Sequence, residues 1–441
     1  MKLALALSAV GSIVNRASAA LVIFVSLREA SLTLDSASLA LFVVATYAPA
    51  LFGLFDLGSS FALISPLTRA VTRDQPDHVR HLLTAAVVRI TAGAVLGAVV
   101  MAAAFSYLSA NNAPSATVSY SVVAGAGVCV LVLTTANLLL ASLAQSFFVY
   151  QHYSLLTAFG NLTAVGLLLG GITSNFESNW FTLALLTILP PQLIALLAAL
   201  PVLRRLRQHL AGWPTAKAPA AELAAEAHSF RAAAHIFFVL QAAGVVLGAV
   251  DPLLLKAHSH AAAATVLGVV LRVTQVLSTP FLLIANQLWP VYARLHAQGE
   301  RRSIRRMLSL SMATFTLVAI AAAFGLNAYG VEILRLFAPS FNTQHPDAWT
   351  PSLGLAAALF LAANVLIAPM AAFMNGVNLL RPQLLASIAF IALALPLKLW
   401  FASSGSIDGM LISTAALLLG LNAFSLFGLS ARQFKQAIGR I

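Results

Sequence analysis

The chain has 441 residues, 60% of them hydrophobic and 9% charged, with a mean hydropathy of +0.91. Soluble domains carry roughly 25% charged residues, and 25 Lys and Arg with 13 Asp and Glu cannot cover a water-facing fold of this size, so a soluble globule is excluded. The net charge of +12 would suggest nucleic acid in a soluble domain, but in a lipid-solvated chain its sorting between loops has to be read first.

Inside a bilayer every backbone N–H and C=O must be bonded within the protein, which leaves helices or a closed barrel. The runs from Leu183 to Leu200 and from Ile412 to Leu421 lack the apolar/polar alternation of barrel strands. The prediction is an all-α membrane protein. Spans of about 20 residues fit at 4–27, 37–66, 82–108, 117–145, 154–174, 180–201, 232–255, 262–290, 307–329, 350–375, 383–402 and 409–431. The first begins like a secretory signal, with Lys2, an apolar stretch and Ala17-Ser18-Ala19. It continues through Leu21 to Val25, so an uncleaved spanning helix is expected. Turn chemistry joins later spans at Asn111-Asn112-Ala113-Pro114, Thr173-Ser174-Asn175 and Ser403-Ser404-Gly405. The single Cys129 excludes an internal disulfide.

With the N-terminus inside, 18 of the 25 basic residues fall on the cytoplasmic side and only Arg28, Lys256 and Arg335 outside, while Arg16, Arg89, Arg272 and Lys398 lie within spans. This partition places both termini in the cytoplasm. It also accounts for the positive charge as an insertion signal lying against membrane lipids, with no nucleic acid required. The basic, alanine-rich connection 204–231 separates residues 1–203 from 232–441, two six-helix lobes. A weak repeat near an offset of 229 residues aligns Tyr153-Ser154-Leu155-Leu156 with Pro382-Gln383-Leu384-Leu385 and Arg73 with Arg302. Six is even, so the lobes would share orientation, as in rocker-type transporters.

Ionisable groups inside spans are expensive and mark function. Arg16 and Arg272 are nearest mid-depth and are the leading binding candidates. In the eighth span Arg272, Gln275, Thr279 and Asn286 fall within roughly 60° at 100° per residue. Ser8, Ser12 and Asn15 form a similar stripe with Arg16 at its edge, and Gln241, Gly244, Gly248 and Asp251 share a face of the seventh span. Three polar stripes imply a hydrated cavity, although polar side chains in spans also serve simply to bond helices together. Arg89 and Lys398 lie nearer span ends, where snorkelling accounts for them. Asp56 and Asp251 are the intramembrane carboxylates, either coupling groups or neutralised structural partners. Four cations against two carboxylates leave an excess that suits an anion, and guanidinium forks match phosphate oxygens in pairs. The cargo inferred is a phosphate-bearing amphiphile.

Prolines 190, 191, 280, 369 and 396 fall inside spans and are expected to kink them. Gly93 with Gly97, Gly166 with Gly170, and Gly244 with Gly248 have the spacing of close helix contacts. The histidines show no metal-ligand spacing, no phosphate-binding Gly-rich loop is present, and no extramembrane segment is large enough for a catalytic site. No enzyme activity and no cofactor are expected.

Leu54-Phe55-Asp56-Leu57-Gly58 with Ala62 and Arg69-Ala70 resembles the Asp-Leu-Gly pattern of the polysaccharide exporters of the MATE-like flippase superfamily. Asp251-Pro252-Leu253-Leu254-Leu255 resembles that family's Asp-x-Leu-Leu-Leu ending of the seventh span, and Trp289-Pro290-Val291-Tyr292-Ala293 its Pro-x-x-Ala near the eighth. Gln151-His152-Tyr153 and Asn375-Gly376 occupy the places of its inner turns. The resemblance implies the MATE-like fold of about 12 transmembrane helices. It further implies alternating access and flipping of undecaprenyl-pyrophosphate-linked oligosaccharide, an O-antigen or exopolysaccharide unit, across the bacterial inner membrane. Polysaccharide polymerase machinery would be a partner. Arg16 and Arg272 fit the cationic cavity role by position, and Asp56 is read as structural, pairing with a cation or capping backbone. The alternatives are a cation or drug antiporter of the same fold, and a membrane-embedded polysaccharide polymerase.

Overall fold

The computed structural model describes residues 2–73, 75–111, 120–147, 149–173, 179–211, 219–340, 349–377 and 379–424. The described residues are helical throughout apart from short joints. Eleven helical segments among them are long and apolar enough to cross a membrane, and Ile407–Ala423 is a shorter apolar helix. Each of the twelve predicted spans is helical over its described residues, two of them with interruptions. The expected turns at 112–114 and 174–175 fall outside the described residues.

The chain folds as two units. The first comprises Met1–Val22 and Ala45–Gln241, the second Ile23–Val44 and Ala242–Ile441. The stretch 204–231 is not a loop where it is described. Helix α9 (Ala199–Ala211) prolongs the sixth span, and α10 (Ala220–Gly244) begins about three turns before residue 232.

The repeat is visible in the helix boundaries. Helices starting at Ser36, Pro76, Tyr150 and Trp180 have counterparts starting at Ala261, Arg301, Leu380 and Ile407, at offsets of 225, 225, 230 and 227. Matching turns close with the same hydrogen bond over five residues: Val149 N–H to Ala144 O at 2.9 Å and Leu379 N–H to Met374 O at 2.8 Å. These turns follow α6 (Tyr120–Ser146) and α14 (Pro351–Gly376) and belong to the two segments singled out after spans four and ten.

In the first unit, α1 (Lys2–Thr33) and α7 (Tyr150–Thr173) are held in parallel register. A Cβ on Gly11 would strike Ser154 Oγ, and two turns further on Asn161 Nδ2 donates to Ser18 Oγ at 3.0 Å. A seven-residue step on both helices keeps the same faces in contact. The unit's core joins Leu63 and Leu67 of α4 (Ser59–Thr72), Leu82 and Ala86 of α5 (Pro76–Asn111), Ala144 of α6, and Phe230 and Ala234 of α10. In the second unit α12 (Ala261–Ala297) and α14 are the most enclosed, with 67% and 61% of their most apolar windows buried, against 22% for α13 (Arg301–Phe337). Tyr292 is fully buried there against Phe373, and its hydroxyl meets Ser311 Oγ at 3.0 Å.

Outside the spans, Asp35 caps α2 (Ser36–Thr46) by accepting from Ser38 N–H at 3.0 Å, and its hydrogen bonds with Ser38 hold its carboxyl below the usual carboxylate range. Two predicted spans are interrupted. The second, expected as one helix over 37–66, consists of α2, a short α3 (Ala48–Phe52) and a tight 3-10 turn Gly53–Asp56. It then breaks at Leu57 (φ 54°) and Gly58 (φ 72°) before α4 begins. The seventh carries a π-turn at Val245–Ala249 and restarts as α11 (Asp251–Ala257) with Pro252 in its first turn. The inserted residue shifts the helical register, so Gln241 and Asp251 do not share one continuous face.

Candidate functional site

The break in the second span exposes backbone groups that lipid could not satisfy. Asp56 repairs it. Fully buried, its carboxylate accepts from Ser60 N–H at 3.1 Å through both oxygens and from Ser60 Oγ at 2.8 Å, which caps the restarted helix. Gln241 donates to the same carboxylate from α10, and Arg89 of α5 is the cation in its field. Arg89 Nη2 also donates to Leu57 O at 3.3 Å. The snorkelling expected for Arg89 is thus corrected: its guanidinium turns onto a carbonyl released by the break, an internal partner that spares the charge a path to the interface. Gly93 and Gly97 allow α5 to approach, since a Cβ on Gly93 would strike Phe55 O and one on Gly97 would lie 2.7 Å from the Phe55 ring. A Cβ added to Gly166, Gly170 or Gly244 would meet nothing within 4 Å, so of the three glycine pairs only the first serves a tight contact.

The second unit holds a buried ion pair. Lys398 of α15 (Leu380–Ser403) donates to Asp251 Oδ1 at 2.5 Å, Oδ2 at 2.7 Å and Leu247 O at 3.2 Å, with both charged side chains fully buried. All three ammonium protons therefore have acceptors. Leu247 lies in the π-turn, where the donor five residues on would be residue 252, a proline without N–H. Snorkelling fails for Lys398 as well. The residue is near its helix end in sequence, but it points inward to a carboxylate 147 positions away, a juxtaposition no local pattern encodes. The available signal was coarser: one cation and one carboxylate on otherwise apolar spans of the same lobe.

Arg272 is 9% exposed on α12, and its Nη1 donates to Gln275 Oε1 at 3.0 Å, so two members of the predicted stripe do meet. Gln275 itself is exposed and Thr279 half-buried, its hydroxyl donating to Gln275 O at 2.7 Å. The Asn286 side chain lies outside the described residues. Arg16 is half-buried in the first unit, within electrostatic reach of Tyr150, whose hydroxyl bonds with Gln145. Asn15 takes the helix-bonding role that the sequence left open for polar side chains in spans. Its Oδ1 accepts from Asn161 Nδ2 at 3.2 Å, fastening α1 to α7. Among the described residues no three His, Cys, Asp or Glu converge as a metal site.

Two repeated sets of membrane-spanning helices, with the second span broken at a capped carboxylate, define a multi-pass all-helical membrane protein of the MATE transporter fold. Solved structures with this architecture include an inward-facing multidrug resistance MATE family transporter of the MOP superfamily, with TM-score 0.63, 13% identity and 95% coverage of both chains. A MATE protein in complex with MaL6 gives 0.64 and 13%, covering 98% of this chain and 96% of its own. A MATE protein in a bent conformation gives 0.58 and 12%, covering 99% and 97%. No protein-family profile and no curated protein matches the sequence.

Proposed function

We propose that the protein is a flippase for undecaprenyl-pyrophosphate-linked oligosaccharide, an O-antigen or exopolysaccharide repeat unit, working by alternating access in the bacterial inner membrane with both termini cytoplasmic. It makes and breaks no bonds. The observation that carries this reading is Arg272, a guanidinium withdrawn from solvent inside a span, whose Nη1 donates to Gln275 Oε1. An arginine in a span centre costs about 2.5–3.5 kcal/mol, and helix adhesion is served more cheaply by Asn and Ser, as Asn15, Ser18 and Asn161 do here. Asp251 has Lys398, Asp56 has Ser60, Gln241 and the field of Arg89, and Arg28 lies beside Glu29. Four cations against two carboxylates inside the predicted spans leave a formal positive excess. That sign and the fork geometry suit a diphosphate. Gln275 continues the Arg272 stripe, and Asn286 does so by its place in the sequence, while Asn15 fastens α1, which carries Arg16, to α7.

Arg16→Gln and Arg272→Gln are expected each to abolish surface polymer while leaving the protein inserted at normal levels, and the lysine variants to recover only part of it because they lack the bidentate fork. Export assayed with anti-polymer serum alongside immunoblots checks this. Full polymer in both glutamine variants at normal protein levels overturns the assignment.

The fold likeness favours a second reading, a cation or drug antiporter of MATE type. Purified protein in proteoliposomes is expected to flip lipid-linked sugar and to leave organic cations where they are. Export of organic cations down a proton or sodium gradient, with lipid-linked sugar ignored, would replace the first reading by the second.

A further inference from the structure

Helix α13 opens with Arg301, Arg302, Arg305 and Arg306, all exposed, while Ile304 among them and Leu308 just beyond are buried. Four like charges within two turns repel one another, and they stand at the helix end whose dipole is already positive. The adjacent Glu300, which accepts from Ser303 Oγ at 2.7 Å, supplies one negative charge against four positive ones. An external anion is the natural counter-charge.

The shape of that anion follows from the rest of the helix. At 100° per residue, Arg302 and Arg306 head the same stripe as Leu310, Ala313 and Leu317. Leu310 and Leu317 are 66% and 70% exposed, Ala313 is exposed, and only 22% of the span's most apolar window is buried. Arg306 to Leu317 is eleven residues, about 16 Å of helix rise, or about half the hydrocarbon thickness of a bilayer. A cationic head with an exposed apolar stripe running the depth of one leaflet beneath it has the complementary form of an anionic phospholipid, headgroup at the arginines and acyl chain along the helix.

We propose that the outer face of α13 is a binding site for an anionic phospholipid of the leaflet facing its N-terminus, with Arg302 and Arg306 on the phosphate and Leu310 to Leu317 against the chains. The site lies wholly within the second unit and is independent of the cargo assignment. The full-length protein, extracted into detergent and supplied with cardiolipin, phosphatidylglycerol or phosphatidylethanolamine and no polyprenyl lipid, is tested by native mass spectrometry. The parent is expected to retain the two anionic lipids over phosphatidylethanolamine, and Arg302→Gln/Arg306→Gln to weaken that retention on the order of tenfold. Arg302→Lys/Arg306→Lys keeps the charge and is expected to keep most of the retention, which separates loss of the site from loss of fold. Equal retention of all three lipids by the parent, or undiminished anionic-lipid retention in the glutamine double variant, overturns the proposal. So does equal loss in the lysine and glutamine variants.

Discussion

Lys398→Met is expected to destabilise the protein by about 3–5 kcal/mol, the usual consequence of stranding one partner of a buried ion pair. Asp251 is fully buried, and the ammonium is the cation within bonding distance of both its oxygens. Removing it leaves a carboxylate that must either be protonated or draw water into the second unit. Asp251→Leu strands the lysine and is expected to cost a similar amount. The combination Asp251→Leu/Lys398→Met removes both charges together and should recover most of the loss, because a well-packed apolar pair can match a buried salt bridge. Thermal unfolding of the four proteins in one detergent, followed by tryptophan fluorescence, closes the cycle. A single variant as stable as the parent, or a double variant no better than either single one, would contradict the ion pair.

Gly58→Ala is the second large effect. Gly58 has φ 72°, where an L side chain costs roughly 1–2 kcal/mol. A Cβ there would also strike Ala234 O and Phe238 N, backbone atoms of α10 that cannot rotate away. The second span is therefore expected to lose its break geometry, with Asp56 pulled off Ser60 and Arg89 off Leu57 O. Gly166→Ala, facing open space, should leave the protein unchanged. The yield of monodisperse protein after extraction and its resistance to trypsin report the outcome, and two indistinguishable variants would show that the close approach is not required.

The two cases mark where sequence reading succeeds in this chain. Twelve spans were legible because each is a run of apolar residues whose length the bilayer thickness dictates, a one-dimensional signal. Asp56 was legible as a motif residue with a capping role open to it, because a cap acts over four positions. Its other partners, Gln241 and Arg89, come from helices far along the chain. Lys398 and Arg89 were misassigned to snorkelling for one reason. Depth along a helix can be counted from sequence, but azimuth relative to neighbouring helices cannot, and azimuth decides whether a long cationic side chain meets water or a buried acceptor. The π-turn was invisible too, since five ordinary apolar residues, Val245 to Ala249, form it, and only Pro252 beyond them hints that an acceptor will need another donor.

Composition and the placement of charge along the chain thus suffice for solvent, secondary structure and the count of spans, since the bilayer imposes those on any segment taken alone. Packing of the folded helices assigned the partners: Asp251 to Lys398, Asn15 to Asn161, and Arg272 to a solvent-excluded place beside Gln275. Such pairings depend on which helix faces meet in three dimensions, and the electrostatics of a low-dielectric interior then decide whether a charge is structural glue or available to a cargo.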